Sequence, residues 1–214
     1  ALDLRGWSFG EVVSIVSESR PEFLFVDMAV QSMGMVSHGI YPTCTVEDID
    51  HQLREAGALA VFVENVAQAA KVLRADARLS RLRLVVVFDP RGLRELNDPR
   101  LLAFDTFMAE ASRHPCAQVF EQRLEALGPG DIAWLASTAG STGEARLAAI
   151  SHACASRRAH QLAASLAAEP TPRVLSFVPL ANAAERMFSA ALPLLHEVDL
   201  HFAESPATVL NDLR

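Results

Sequence analysis

Four short runs of β-branched and other apolar residues recur along the first part of the chain: EVVSIV at 11–16, VSHGIY at 36–41, LAVFV at 59–63 and LVVVF at 84–88. Each has the length of a strand. Their near-continuous apolarity is the pattern of strands covered on both faces. Helical stretches lie between them. One spans 22–33, behind Pro21, which suits a helix start because its missing N–H would be unpaired there anyway. A second starts at Thr45 and Asp48, which have the spacing of a reciprocal N-cap, and runs to about Ala56 before Gly57, a natural C-cap. A third covers 67–79. Strand, helix and strand at this spacing predict an α/β fold with a parallel sheet and crossover helices.

The pattern then breaks and resumes. Residues 89–99 (DPRGLRELNDP) are polar and turn-rich, as in a linker. Two amphipathic pieces follow at 101–112 and 119–127. The spacing of Phe104, Phe107, Met108 and Ala111 in the first is that of a core-facing helix. Gly128-Pro129-Gly130 makes a turn. A second series then begins: strand 131–136, a loop, strand 147–151, a long helix to about 168, strand 174–178, helix 183–195 and strand 199–202. The expected organisation is a first α/β half at 1–89, a linker with amphipathic helices at 90–130, and a related second α/β half at 131–214. With 214 residues, half of them hydrophobic, the chain can bury a sizeable core.

The loop between strands 131–136 and 147–151 carries the most chemistry. It reads STAGSTGEAR from Ser137 to Arg146. Small residues let backbone N–H groups approach a phosphate, and hydroxyls add donors. Arg146 can meet phosphate oxygens bidentately. Neither G-x-x-x-x-G-K-[ST] nor G-x-G-x-x-G occurs. On composition alone, an ordinary surface loop joining two hairpin strands remains open.

The surrounding residues resemble a known family. The frame STAGSTGEARLAAISH, ending at Ser151-His152, is similar to the signature loop YTSGTTGxPKG, apolar run and Ser/Thr-His of the adenylate-forming, AMP-binding enzymes. SESRPEF at 17–23 resembles that family's ENRPEW, and IYPT at 40–43, with Thr45 and Glu47, resembles IYPTLTAEQI. VFVEN at 61–65, VVVFD at 85–89 and FAESP at 202–206 also match. LSFVPLA at 175–181 with Glu185-Arg186-Met187 resembles LSFLPLAHVFERM. Together these segments resemble the long-chain fatty acyl-CoA synthetase branch over nearly the whole chain.

The resemblance implies one incomplete AMP-binding domain with the phosphate loop as a strand–loop–strand hairpin. It implies a segment of an ATP-dependent long-chain fatty acid–CoA ligase, which adenylates the acid and then transfers the acyl group to coenzyme A. Thr138, Gly140, Ser141, Thr142, Gly143 and Arg146 fall on its nucleotide-binding loop. Asn182, Glu185 and Arg186 fall near its acyl and nucleotide pocket. Asn182 has a second reading as a helix N-cap answered by Glu185. ATP with Mg2+ and coenzyme A are the implied cofactor and co-substrate, and a long-chain fatty acid the partner. A cytoplasmic location follows, with peripheral membrane association allowed. The family's adenine, ribose and magnesium motifs, and its catalytic lysine, have no counterpart before Arg214. No catalytic residue is therefore assigned, and the isolated chain is expected to be inactive. Ala139 replaces a serine, Ala145 a proline, Arg146 a lysine and Leu147 a glycine, while Asn182 stands where histidine is common. These departures motivate an alternative: a degenerate, non-catalytic relative that binds nucleotide or acyl groups, or regulates.

Other classes find little support. A net charge of −7 gives no basic footprint for nucleic acid. The three cysteines are scattered and odd in number, against a disulfide framework. The seven histidines show no metal-ligand spacing. No stretch reaches the ~20 apolar residues of a membrane span. Lys71, the single lysine, reads as a solvated helix charge.

Overall fold

The computed structural model describes residues 2–75, 81–113, 117–138, 145–166, 173–203 and 207–212. Strand β1 (Val12–Val16) lies at the centre of a seven-stranded sheet. Helix α1 (Pro21–Ser32) leads to β2 (Val36–Ile40) on one side of it. Helix α2 (Val46–Ala56) then carries the chain across to β3 (Ala60–Asn65) on the other side. Helix α3 (Val66–Ala75) and β4 (Leu84–Asp89) extend the sheet outward from β3. All these pairings are parallel, as the sequence predicts.

The uninterrupted apolar runs have a physical reason. Successive side chains of a strand point to opposite faces, and both faces of this sheet are covered. Val13, Ile15, Phe62 and Val86 pack with Phe23, Val26 and Val30 of α1. Their neighbours Val61, Val63, Val85 and Val87 pack with Ile49 and Leu53 of α2 and Val72 of α3. The limits of α2 are local chemistry. Thr45 accepts from the Asp48 N–H at 3.1 Å, and the Asp48 carboxylate accepts from the Thr45 N–H. Gly57 takes the left-handed C-cap conformation, φ 62°.

Residues 101–112 differ from the expectation. Only Phe104–Ser112 is helical (α4); Leu101–Ala103 forms β5, paired in parallel with β4. The unpaired edge of β4 offers a ladder of backbone donors and acceptors, and pairing there overrides the helical spacing. Phe107 enters the core, whereas Met108 is exposed. Helix α5 (Ala117–Ala126) follows.

Strand β6 (Ile132–Ser137) joins the same sheet beside β2, in parallel, and β7 (Leu147–Ser151) returns antiparallel to β6. The full order is β5-β4-β3-β1-β2-β6-β7. Helix α6 (His152–Leu166) packs on β6. Strands β8 (Arg173–Ser176) and β9 (Asp199–Phe202) form a separate two-stranded parallel sheet. The stretch between them is α7 (Ala183–Arg186), a π turn at Met187–Ala191 and α8 (Leu192–Leu195). A single regular helix over 183–195 is interrupted because Pro193 lacks an N–H and its ring crowds the carbonyl four residues back. Helix α9 (Val209–Asp212) is the last described element.

Candidate functional site

In open parallel sheets, ligands gather at the carboxyl ends of the strands. The predicted loop leaves β6 at that edge. Thr138 and Arg146 close the hairpin: the Thr138 N–H donates to the Arg146 carbonyl at 2.8 Å, and the Thr138 hydroxyl donates to the same oxygen at 3.0 Å. Arg146 itself is exposed. Gly140, Ser141, Thr142 and Gly143 lie outside the described residues.

Three residues of α2 brace the two stems of this hairpin. The His51 ring Nε2 lies 2.9 Å from the Ala145 carbonyl oxygen. The Ser137 hydroxyl donates to Gln52 Oε1. The Leu147 N–H donates to Glu55 Oε1 at 3.2 Å, and Glu55 also pairs with His51 one helical turn away. The sequence carries no local sign of this bracing, since the contacts join residues 85 to 94 positions apart. It fixes the two ends of the segment between β6 and β7 to helix α2.

Asn182 caps α7. Its Oδ1 accepts from the Ala184 N–H at 2.9 Å and the Glu185 N–H at 3.3 Å. The reciprocal bond from Glu185 does not form, because the Asn182 N–H donates instead to the Pro179 carbonyl. Glu185 accepts from the hydroxyls of Ser176 and Ser189, each at 2.7 Å, and so ties α7 to β8 and the π turn. The segment before Asn182 lies against the carboxyl ends of β1 and β2. The Ser19 hydroxyl donates to the Val178 carbonyl at 2.6 Å. At Gly39 a Cβ would come within 2.8 Å of the Ala181 Cα, so only glycine allows this approach. Because β2 and β6 are neighbours, the topology brings the Asn182 turn and the Thr138–Arg146 hairpin to one sheet edge.

Arg186 is 1% exposed and occupied internally. Its guanidinium donates through Nε and Nη2 to the two carboxylate oxygens of Asp27, and through Nη2 to the Ser37 hydroxyl. The Trp134 and Phe23 rings lie 5.1 and 5.7 Å from its central carbon. Gln31 Nε2 adds a bond to Asp27 at 2.8 Å. Nearby His38 is fully buried, with Nδ1 3.1 Å from the Ser14 hydroxyl. Burial, reinforced by the Arg186 charge, pushes its imidazole down to about 3. The cluster therefore locks α1, β2 and α7 together.

Lys71 departs from the expectation of a solvated charge. Its ammonium donates to the carbonyls of Pro42 and Cys44, at 2.8 and 3.2 Å, and the Gln68 amide also donates to Pro42. The turn after β2 exposes carbonyls that the sequence pattern does not reveal, and α3 satisfies them.

These features define a doubly covered α/β sheet with a hairpin loop at its carboxyl edge. The AMP-binding enzyme family model matches residues 1–214, and the chain belongs to that family. It is 28% identical over 191 residues to the long-chain-fatty-acid–CoA ligase FadD15 of Mycobacterium bovis, covering 87% of this chain and 30% of that protein. It is 23% identical over 208 residues to the human long-chain-fatty-acid–CoA ligase 1, covering 94% and 30%. The chain thus spans about 30% of the length of these curated relatives. Among solved structures, a putative long-chain-fatty-acid CoA ligase from Rhodopseudomonas palustris superposes with a TM-score of 0.76 at 14% identity, over 99% of this chain and 50% of that one. ATP-bound MatB from the same organism superposes at 0.72 and 16%, over 98% and 39%. At these identities the superpositions establish the fold.

Proposed function

We propose that this chain is the segment of an ATP-dependent long-chain fatty acid–CoA ligase that holds the ATP phosphates, and that it is not catalytically complete alone. The observation that carries the reading is the β6–β7 hairpin: in a member of the AMP-binding family its stems bring Thr138 and Arg146, the described ends of the sequence STAGSTGEAR, to the carboxyl edge of the sheet. Gly140, Ser141, Thr142 and Gly143 supply backbone and hydroxyl donors, and Arg146 the cation, to oxygens whose charge rises as a carboxylate attacks the nucleotide, while Thr138 closes the loop through its two bonds to the Arg146 carbonyl. Asn182, Glu185 and Arg186 support the neighbouring turn, Asn182 nearest the acyl and nucleotide side.

Among the described residues no three His, Cys, Asp or Glu side chains converge on a cation site. Any Mg2+ in this segment would therefore be carried mainly by the ATP phosphates, a common arrangement for that ion. Its chemistry there is neutralisation of phosphate charge. Fatty acid and coenzyme A complete the ligand set. Among the described residues no helix is long and apolar enough to cross a membrane; the reading places this segment in the cytoplasm, with peripheral membrane association allowed.

Titration calorimetry with ATP tests the loop. Micromolar binding that Arg146→Ala abolishes is the expected result. Acyl-CoA synthesis by the purified 214 residues would overturn the claim of incompleteness. A second reading rests on Ala139, Ala145, Leu147 and Asn182, which depart from the family's residues: a degenerate module that regulates or binds without catalysis. Absence of ATP binding, in this chain and in a longer polypeptide containing it, would favour that reading.

A further inference from the structure

A groove of about 450 Å³ runs between α1, α5, α6 and α8, on the side of the molecule that Trp134 faces. Its walls are apolar: Met28, Leu124, Leu127 and Leu194 contribute, with Leu124 and Leu194 48% and 63% exposed. Two lining residues carry unpaired polar atoms. Trp134, 2% exposed, has an indole N–H with no hydrogen-bond partner among the described residues. His152 Nε2 is also buried and without a partner among them. Buried polar atoms are almost always satisfied, and an unsatisfied pair costs folding free energy unless something else supplies the bond. An apolar cleft with a few converging polar atoms is the usual form of a small-molecule site.

The electrostatics select the head group. An indole N–H can only donate, so the ligand atom facing it accepts. Asp27 lines the groove, and Asp131 lies close enough to act on His152. Burial holds His152 below its ordinary range against the pull of Asp131, leaving it neutral. The Arg186 charge beside Asp27 is already consumed by that carboxylate and Ser37. Asp27 and Arg186 neutralise each other, so an anionic head at His152 would face the Asp131 carboxylate with no free cation among the described lining residues.

We propose that this groove binds a small amphipathic molecule with an uncharged carbonyl head, held at Trp134 and His152, and an aliphatic tail along Met28, Leu124, Leu127 and Leu194. The site uses the base of the β6–β7 hairpin, away from its Thr138–Arg146 end, and does not depend on ATP binding there.

The test uses decanamide and decanoate as probes with the full chain at pH 8. Trp7→Phe leaves Trp134 as the single indole, and its fluorescence is the readout. Decanamide is expected to give a saturable change. Leu194→Gln, at an exposed position, is expected to weaken binding about tenfold, and Trp134→Phe, followed by calorimetry, by a similar factor through loss of one hydrogen bond. Decanoate is expected to bind more weakly than the amide. No saturable binding, decanoate binding more tightly than decanamide, or affinity unchanged by Leu194→Gln would overturn the proposal. Should Trp134→Phe fail to fold by circular dichroism, Leu194→Gln and the amide–carboxylate comparison still decide. Loss of ATP binding with decanamide binding intact would overturn only the reading of the hairpin.

Discussion

Asp27 and Arg186 carry opposite charges in a place where neither meets water. Removing one partner strands the other, which costs about 3–5 kcal/mol in buried pairs. Asp27→Ala and Arg186→Met are each expected to lower the unfolding free energy by about that much in urea titrations. The double variant should lose much less than the sum, because no orphan charge remains. His38 beside them adds a pH dependence. Its imidazole is held near 3 in the folded protein but titrates near 6.5 when unfolded. The unfolded chain therefore binds a proton that the folded chain refuses, and stability falls as pH drops below about 6.5. The slope from this residue is about 1.4 kcal/mol per pH unit down to about 3. His38→Gln should flatten the pH profile over that window, read as the difference in urea midpoints between the two proteins. None of this was legible in the sequence. By resemblance the Glu185-Arg186-Met187 run points to a pocket, and the carboxylate that claims Arg186 lies 159 positions earlier.

Elements whose limits are set by neighbours along the chain were readable; those set by distant partners were not. Helix α2 begins and ends as predicted because Thr45, Asp48 and Gly57 are all local. Thr45→Ala is expected to cost about 1 kcal/mol, measurable by thermal unfolding. Strand β5 was unreadable because its cause is the open edge of β4. The hairpin was legible as two strands and a loop, but its bracing by His51, Gln52 and Glu55 was not. Gly39 shows the same limit from another side. It looks like a weak point in a strand, yet it marks where the turn before Asn182 touches the sheet. Gly39→Ala should cost about 1–3 kcal/mol through forced displacement of backbone. If the turn helps form the nucleotide site, ATP affinity should fall with it, and calorimetry on the folded variant would show this.

At the scale of the whole molecule, strands far apart in the chain share one sheet: β6 and β7 extend the sheet that β1 to β5 begin. The loop residues and the Asn182 turn thus rest on one frame, and the first part of the chain serves as the platform for the second. The single lysine gives this frame a built-in reporter. Lys71 bonds to the turn after β2, so its peptide bond is open to a lysine-specific protease only when that turn and α3 come apart. Digestion then yields two fragments, 1–71 and 72–214, and nothing else. The rate at which that one cut appears is a clock for the loosening of the platform, readable on a gel, with or without nucleotide present.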